Sequence, residues 1–137
     1  MRILGIDPGT ATTGWGVLEV INDNLKVIEW GLVETSKDEK VEERLSKIYK
    51  ETLAILKKFT PDVFVFEKIF FATNAKTAIS VGQAQGVMLL AAARSKLAVA
   101  CYAPGTIKKL ITGNGRANKK DVQQAIRKIL GNQVKSR

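Results

Sequence analysis

The chain has 137 residues, 45% of them hydrophobic and 26% charged, a composition that suits one folded domain with a real core and excludes wholesale disorder. With no histidine and a single cysteine, Cys101, it has no histidine triad, no histidine base and no intrachain disulfide framework. Any catalysis must therefore run on carboxylates, lysines, hydroxyls or a hard metal ion. The net charge of +9 is lopsided: residues 1–67 carry nine Lys/Arg against twelve Asp/Glu, whereas residues 68–137 carry thirteen against one, Asp121. A one-sided excess of this size draws a polyanion such as a phosphate backbone. No run reaches the roughly 18 apolar residues that span a bilayer, and no signal peptide is read before the first strand. A reduced, cytoplasmic setting is expected.

In chain order, Arg2–Asp7 reads as a buried strand and Gly14–Ile21 as a second. Asn22-Asp23-Asn24 is a hairpin turn leading into a third strand, Leu25–Thr35. Leu45, Ile48, Tyr49, Thr52, Leu53 and Leu56 recur at three- and four-residue steps, which predicts an amphipathic helix over Val41–Phe59. Val63–Phe70 is a fourth strand, Asn74–Lys96 a long helix, and Leu97–Ala103 a fifth strand stopped by Pro104-Gly105. A short helix, Thr106–Ile111, a glycine-containing basic loop, Thr112–Asn118, and a last helix, Lys119–Leu130, complete the chain. Three antiparallel strands followed by alternating helix and strand predict an α/β fold, a mixed five-stranded sheet with helices on its faces.

Two carboxylates sit oddly in this pattern. Asp7 ends the first apolar strand, just before Pro8-Gly9-Thr10 turns the chain. In "DVFVFEKIFF" a period of two places Val63, Val65, Glu67 and Ile69 on one face, so Glu67 stands where an aliphatic residue belongs. An unpaired buried carboxylate is costly and needs a lysine, strong hydrogen bonds or a cation. A structural ion pair explains one such acid well and two less well. If the first and fourth strands are neighbours, Asp7 and Glu67 lie as little as ~4.8 Å apart, and a bridging divalent cation relieves their repulsion. Oxygen ligands favour magnesium or manganese over zinc.

Other features are open to two readings. Phe70 and Phe71 cannot both face one core at period two. Ala75, Ala78, Gly82 and Gly86 form a small-residue ridge that serves close packing on the sheet or a contact between subunits. "KKLITGNGRANKK" places Lys108, Lys109, Arg116, Lys119 and Lys120 among glycines, either as a solvated loop or as a phosphate-binding surface. Asp121 reads as a first-turn acid in a helix capped by Asn118.

Three segments, "ILGIDPGTATTGWGVLE", "FEKIFFATNAKTAISVGQAQGV" and "YAPGTIKKLITGNGRANKKDVQ", resemble in order and spacing the RuvC family of bacterial Holliday junction resolvases. The resemblance implies a ribonuclease-H-like fold with helices on both faces of the sheet. It also implies a homodimer and Mg2+-dependent cutting of two opposed strands of a four-way DNA junction in recombination and repair, with Mn2+ as a substitute. Asp7 and Glu67 match the family's first two metal-binding, catalytic acids. Phe70 matches the aromatic that enters the bases near the crossover, and Lys108 and Lys119 match basic residues of the DNA-binding surface. Arg116 and Lys120 extend that surface, and the branch-migration proteins RuvA and RuvB are implied partners. The family's remaining acids lie on a later helix, in a segment like Asp-Ala-Ala-Asp-Ala-Leu, which is not reached by Arg137. Residues 1–137 are therefore expected to form a single nuclease domain lacking the C-terminal acidic helix, one that folds and binds junctions but cleaves poorly. An actin-like ATPase, a non-catalytic junction-binding module and a general ribonuclease-H-like nuclease are the competing readings. The first is disfavoured by length and by the want of a second glycine-rich phosphate turn. The second leaves Glu67 unexplained, and only the resemblance separates junction choice from the third.

Overall fold

The computed structural model describes residues 1–9, 11–68 and 75–134. Five strands, β1 (Arg2–Asp7), β2 (Thr12–Ile21), β3 (Asn24–Glu34), β4 (Val63–Glu67) and β5 (Ala98–Tyr102), form one sheet in the order β3-β2-β1-β4-β5. The first three are antiparallel, while β4 runs parallel to both β1 and β5. The helices are α1 (Val41–Phe59), α2 (Ala75–Arg94), α3 (Pro104–Thr112) and α4 (Lys119–Leu130), followed by a 3₁₀ turn at Gly131–Gln133. The expected mixed sheet and its element order are present.

Alternation along the strands explains how the sheet is covered. Leu4, Ile6, Val17, Val33, Phe64 and Phe66 point to one face and are buried with Ile48, Ile55, Leu56 and Phe59 of α1 and Ala84, Met88, Ala91 and Ala92 of α2. Trp15 packs against Phe59 in a tilted arrangement, with ring centroids 5.7 Å apart. Its cross-strand partner is Gly31, where a Cβ would meet the indole at 2.8 Å, so only glycine leaves the ring its place. The opposite face carries α3 and α4, neither of which has a fully buried residue. Gln133 ties this second layer to the sheet edge: its Oε1 accepts the Val27 N–H at 2.8 Å and its Nε2 donates to the Leu25 carbonyl at 3.0 Å.

The boundaries differ from the sequence reading in instructive places. Asn22 and Asp23 both have positive φ, 49° and 64°, the two-residue hairpin geometry; Asn24 is therefore the first residue of β3 and pairs with Ile21. Strand β2 begins two residues earlier than expected, because Thr12 and Thr13 pair with Glu34 and Val33. Strand β4 ends at Glu67 rather than Phe70; the Lys68 N–H donates to the Tyr102 carbonyl at 2.8 Å, and Phe70 and Phe71 lie outside the described residues. Pro104 opens α3 instead of merely stopping β5, as the first helical position tolerates its missing N–H. Helix α2 ends at Arg94, two residues short of expectation, where Lys96 adopts a φ of 57°.

The ridge on α2 divides. Ala78 is buried, whereas Gly82 and Gly86 are exposed, with no described atom within 4 Å of a Cβ at either. The buried set Ala84, Met88, Ala91 and Ala92 follows the helical period, which turns both glycines away from the sheet. Helix α4 starts as expected in a reciprocal cap: the Asn118 Oδ1 accepts the Asp121 N–H at 2.8 Å, and the Asn118 N–H donates to Asp121 Oδ2 at 3.3 Å. Asn118→Ala should cost about 1 kcal/mol of stability, read as a lower midpoint in urea unfolding.

Candidate active site

Strands β1 and β4 are paired in parallel, Ile3 with Val63 through Ile6 with Phe66, so Asp7 and Glu67 end them side by side. Both project from the face opposite the buried phenylalanines, since Leu4, Ile6, Phe64 and Phe66 occupy the other. The strand ends are rigid supports: Asp7 pairs across to Gly14 on β2, and Glu67 to Tyr102 on β5. Beyond Asp7 the chain turns at Pro8-Gly9, where a Cβ on Gly9 would strike the Thr12 carbonyl. The tight turn thus needs glycine and directs the backbone away from the acids.

The two carboxyl groups end neighbouring strands on the same face, near enough to perturb one another. Glu67 is held above the ordinary glutamate range, first by burial and then by the neighbouring Asp7 side chain, with the Lys108 ammonium pulling in the opposite direction. Oxygen-only donors of this kind suit a hard divalent cation. Among the described residues no third acid joins them. Asp121, the one acid of the basic half, is engaged in its helix cap.

The acids open into a cleft of about 420 Å³. Its floor is Gly5, Gly14, Gly16 and Val65; its far wall is the apolar side of the α3–α4 hairpin, Ile107, Ile111, Val122 and Ile126. Lys108 is half-buried on α3, close enough to act on Glu67, whereas Lys109, Arg116, Lys119 and Lys120 are exposed along the same hairpin. The connecting loop is internally bonded: Thr112 Oγ1 donates to the Lys108 carbonyl at 2.7 Å, Asn114 Oδ1 accepts the Arg116 N–H at 2.9 Å, and Gly113 closes α3 with a φ of 83°. It is a shaped connection and not a slack solvated one.

The structure therefore brings Asp7, Glu67 and Lys108 together and places Arg116, Lys119 and Lys120 on the adjoining hairpin. The aliphatic wall and the glycine floor were not singled out from sequence. Their signals are the apolar stripe of α4, Val122, Ala125, Ile126 and Ile129, and the period-two pair Gly14 and Gly16.

The fold and the paired strand-end acids define a ribonuclease-H-like protein. Residues 3–137 match the family model for crossover junction endodeoxyribonuclease RuvC. The chain is 45% identical over 131 residues to the RuvC of Fusobacterium nucleatum subsp. nucleatum, covering 96% of this chain and 69% of that protein. It is also 45% identical over 130 residues to the RuvC of Thermotoga petrophila, covering 95% and 79%. The structure of T. thermophilus RuvC in complex with Holliday junction substrate matches with a TM-score of 0.91 at 33% identity, over 100% of this chain and 84% of that one. The chain belongs to the RuvC family of crossover junction endodeoxyribonucleases.

The raised Glu67 has a consequence for stability. An acid whose folded-state pKa lies above its unfolded value destabilises the fold once pH exceeds the ordinary carboxylate range, and costs nothing below about pH 4, where both states are protonated. In metal-free protein Glu67→Gln should accordingly raise the melting temperature at pH 7, and the gain should vanish as the pH falls towards 4.

Proposed function

We propose that this chain is the nuclease domain of a Holliday junction resolvase, cutting paired strands of four-way DNA junctions in the cytoplasm during recombination and repair. The observation that carries the reading is the placing of Asp7 and Glu67 at adjacent strand ends, within the field of Lys108, in a chain of this family. Asp7 and Glu67 hold the metal, Mg2+ with Mn2+ as substitute. When bound, the cation polarises phosphate oxygens and lowers the pKa of water. The chain's own groups do the remaining work. The acids fix the position of the reacting centre on rigid strands, and the aliphatic wall limits water on one side. Lys108 offsets the charge of an approaching phosphate, while Arg116, Lys119 and Lys120 bind the flanking backbone.

The further parts of the reading follow the family. Phe70 enters the bases near the crossover, and two copies of the chain act together on opposed strands. The exposed Gly82, Gly86, Ile79 and Leu90 of α2 suit the close approach of a second helix. RuvA and RuvB are the partners that deliver the junction.

Asp7→Asn keeps the size of the side chain and removes its ligand charge. In the full-length protein it should abolish cleavage while leaving junction affinity within about threefold, since binding rests on phosphate contacts elsewhere; paired nicking and gel-shift assays read the two effects. Cleavage by the Asn variant would overturn the metal-site assignment. Changing Lys108 and Lys119 together to Ala should flatten the plot of log affinity against log salt by about two units, one per lost phosphate contact. An unchanged slope would remove these lysines from the interface.

A further inference from the structure

The sheet face that carries the acids has a floor without side chains. Gly5 pairs with Gly16, and Asp7 pairs with Gly14, so three glycines lie together beside the carboxylates. The usual causes of glycine in a strand do not apply to them. None has a positive φ, and among the described residues a methyl group has room at each. Nothing lies within 4 Å of a Cβ at Gly14; the nearest atom is the Trp30 Cβ at 3.8 Å for Gly16 and the Gly16 carbonyl at 4.0 Å for Gly5. Gly31 is the contrast, packed by the Trp15 ring at 2.8 Å. Glycine weakens a strand, and where the strand's own packing does not demand it, it marks the close approach of another group.

The chemistry of the site selects that group. A phosphodiester that reaches Asp7 and Glu67 brings a deoxyribose on each side of its phosphorus. The sugar is compact and largely apolar, and the cleft beside Gly14 is lined by Val65, Ile107 and Ile126. The phosphate it carries is met by the positive charge of Lys108, which already acts on Glu67. We propose that Gly14, with Gly16 beside it, is a positioning element for cleavage: the bare backbone seats the deoxyribose next to the scissile phosphate and lets the phosphorus come down to the level of the acids. A methyl at Gly14 would hold the strand off by about 1 Å or more, a displacement that costs catalysis far more than affinity. The proposal rests on the assignment of Asp7 and Glu67 as the metal site.

The experiment compares Gly14→Ala, Gly14→Val and Asp7→Asn with the parent, each in the full-length protein. Cleavage of a saturating four-way junction is measured in Mg2+, binding in Ca2+, and metal affinity by Mn2+ titration, alongside the melting temperature. Gly14→Ala should keep its melting temperature, its Mn2+ affinity and its junction affinity, and lose about tenfold in single-turnover rate, with Gly14→Val losing about a hundredfold. A second readout does not depend on cleavage. In a Cys101→Ser background, Gly14→Cys should crosslink by thiol–disulfide exchange to a junction tethered at the crossover phosphate, and Leu25→Cys, at the far end of β3, should not. Parental cleavage by Gly14→Ala, or a crosslink no stronger than that of Leu25→Cys, would overturn the proposal. So would a fall in melting temperature on adding the methyl, which would show that a protein segment occupies the floor. Cleavage by Asp7→Asn instead removes the metal-site assignment, whatever the Gly14 variants do.

Discussion

The parallel pairing of β1 with β4 presses two carboxylates together at the ends of neighbouring strands, and the rest of the molecule is arranged to tolerate that contact. Two like charges at strand spacing repel, and burial adds to the cost, which is why Glu67 is held above its ordinary range. The register that imposes the contact is anchored from behind. Leu4, Ile6, Phe64 and Phe66, alternating with the site positions, are buried under α1 and α2, and each large side chain contributes about 2 kcal/mol on burial. Slipping either strand by one residue would relieve the acids and expose that whole set to solvent. The core thus fixes the acids where they would not settle alone.

The two faces of the sheet divide the labour. One is closed and aliphatic, with α1 and α2 laid against it and buried residues at helical spacing. The other is only partly covered by α3 and α4, which carry no fully buried side chain and leave the cleft open beside Asp7 and Glu67. Rigidity on one side and access on the other are what a site needs when its substrate is a long, stiff polymer. The charge asymmetry of the chain gains its meaning here. The acidic half supplies the two strand-end carboxylates, and the basic half includes the α3–α4 hairpin, which sets Lys108 near enough to act on Glu67.

Some of this was legible along the chain because it depends on neighbours in sequence. The hairpin at Asn22-Asp23, the amphipathic stripe of α1, and the Asn118–Asp121 cap are local, and each is formed by residues no more than a few positions apart. The less successful boundaries have tertiary causes. Thr12 and Thr13 belong to β2 because Glu34 and Val33 lie opposite them, and Gly82 and Gly86 face outward because the apolar stripe of α2 is offset from them.

The same division holds at the site. By itself the sequence determined which chemical groups were available: two acids at strand ends, no histidine, one stranded cysteine and a concentrated positive charge. Alternation at period two also told which face each acid would take, since that is a property of a single strand. Only the tertiary structure decided that β4 lies beside β1 and not at an edge, that Asp7 and Glu67 therefore stand side by side, and that three glycines from two strands form one floor next to them. Strand partners sit some sixty residues apart in the chain, as Ile3 and Val63 do. No local preference encodes that choice; it is made by burying one continuous apolar face beneath two helices.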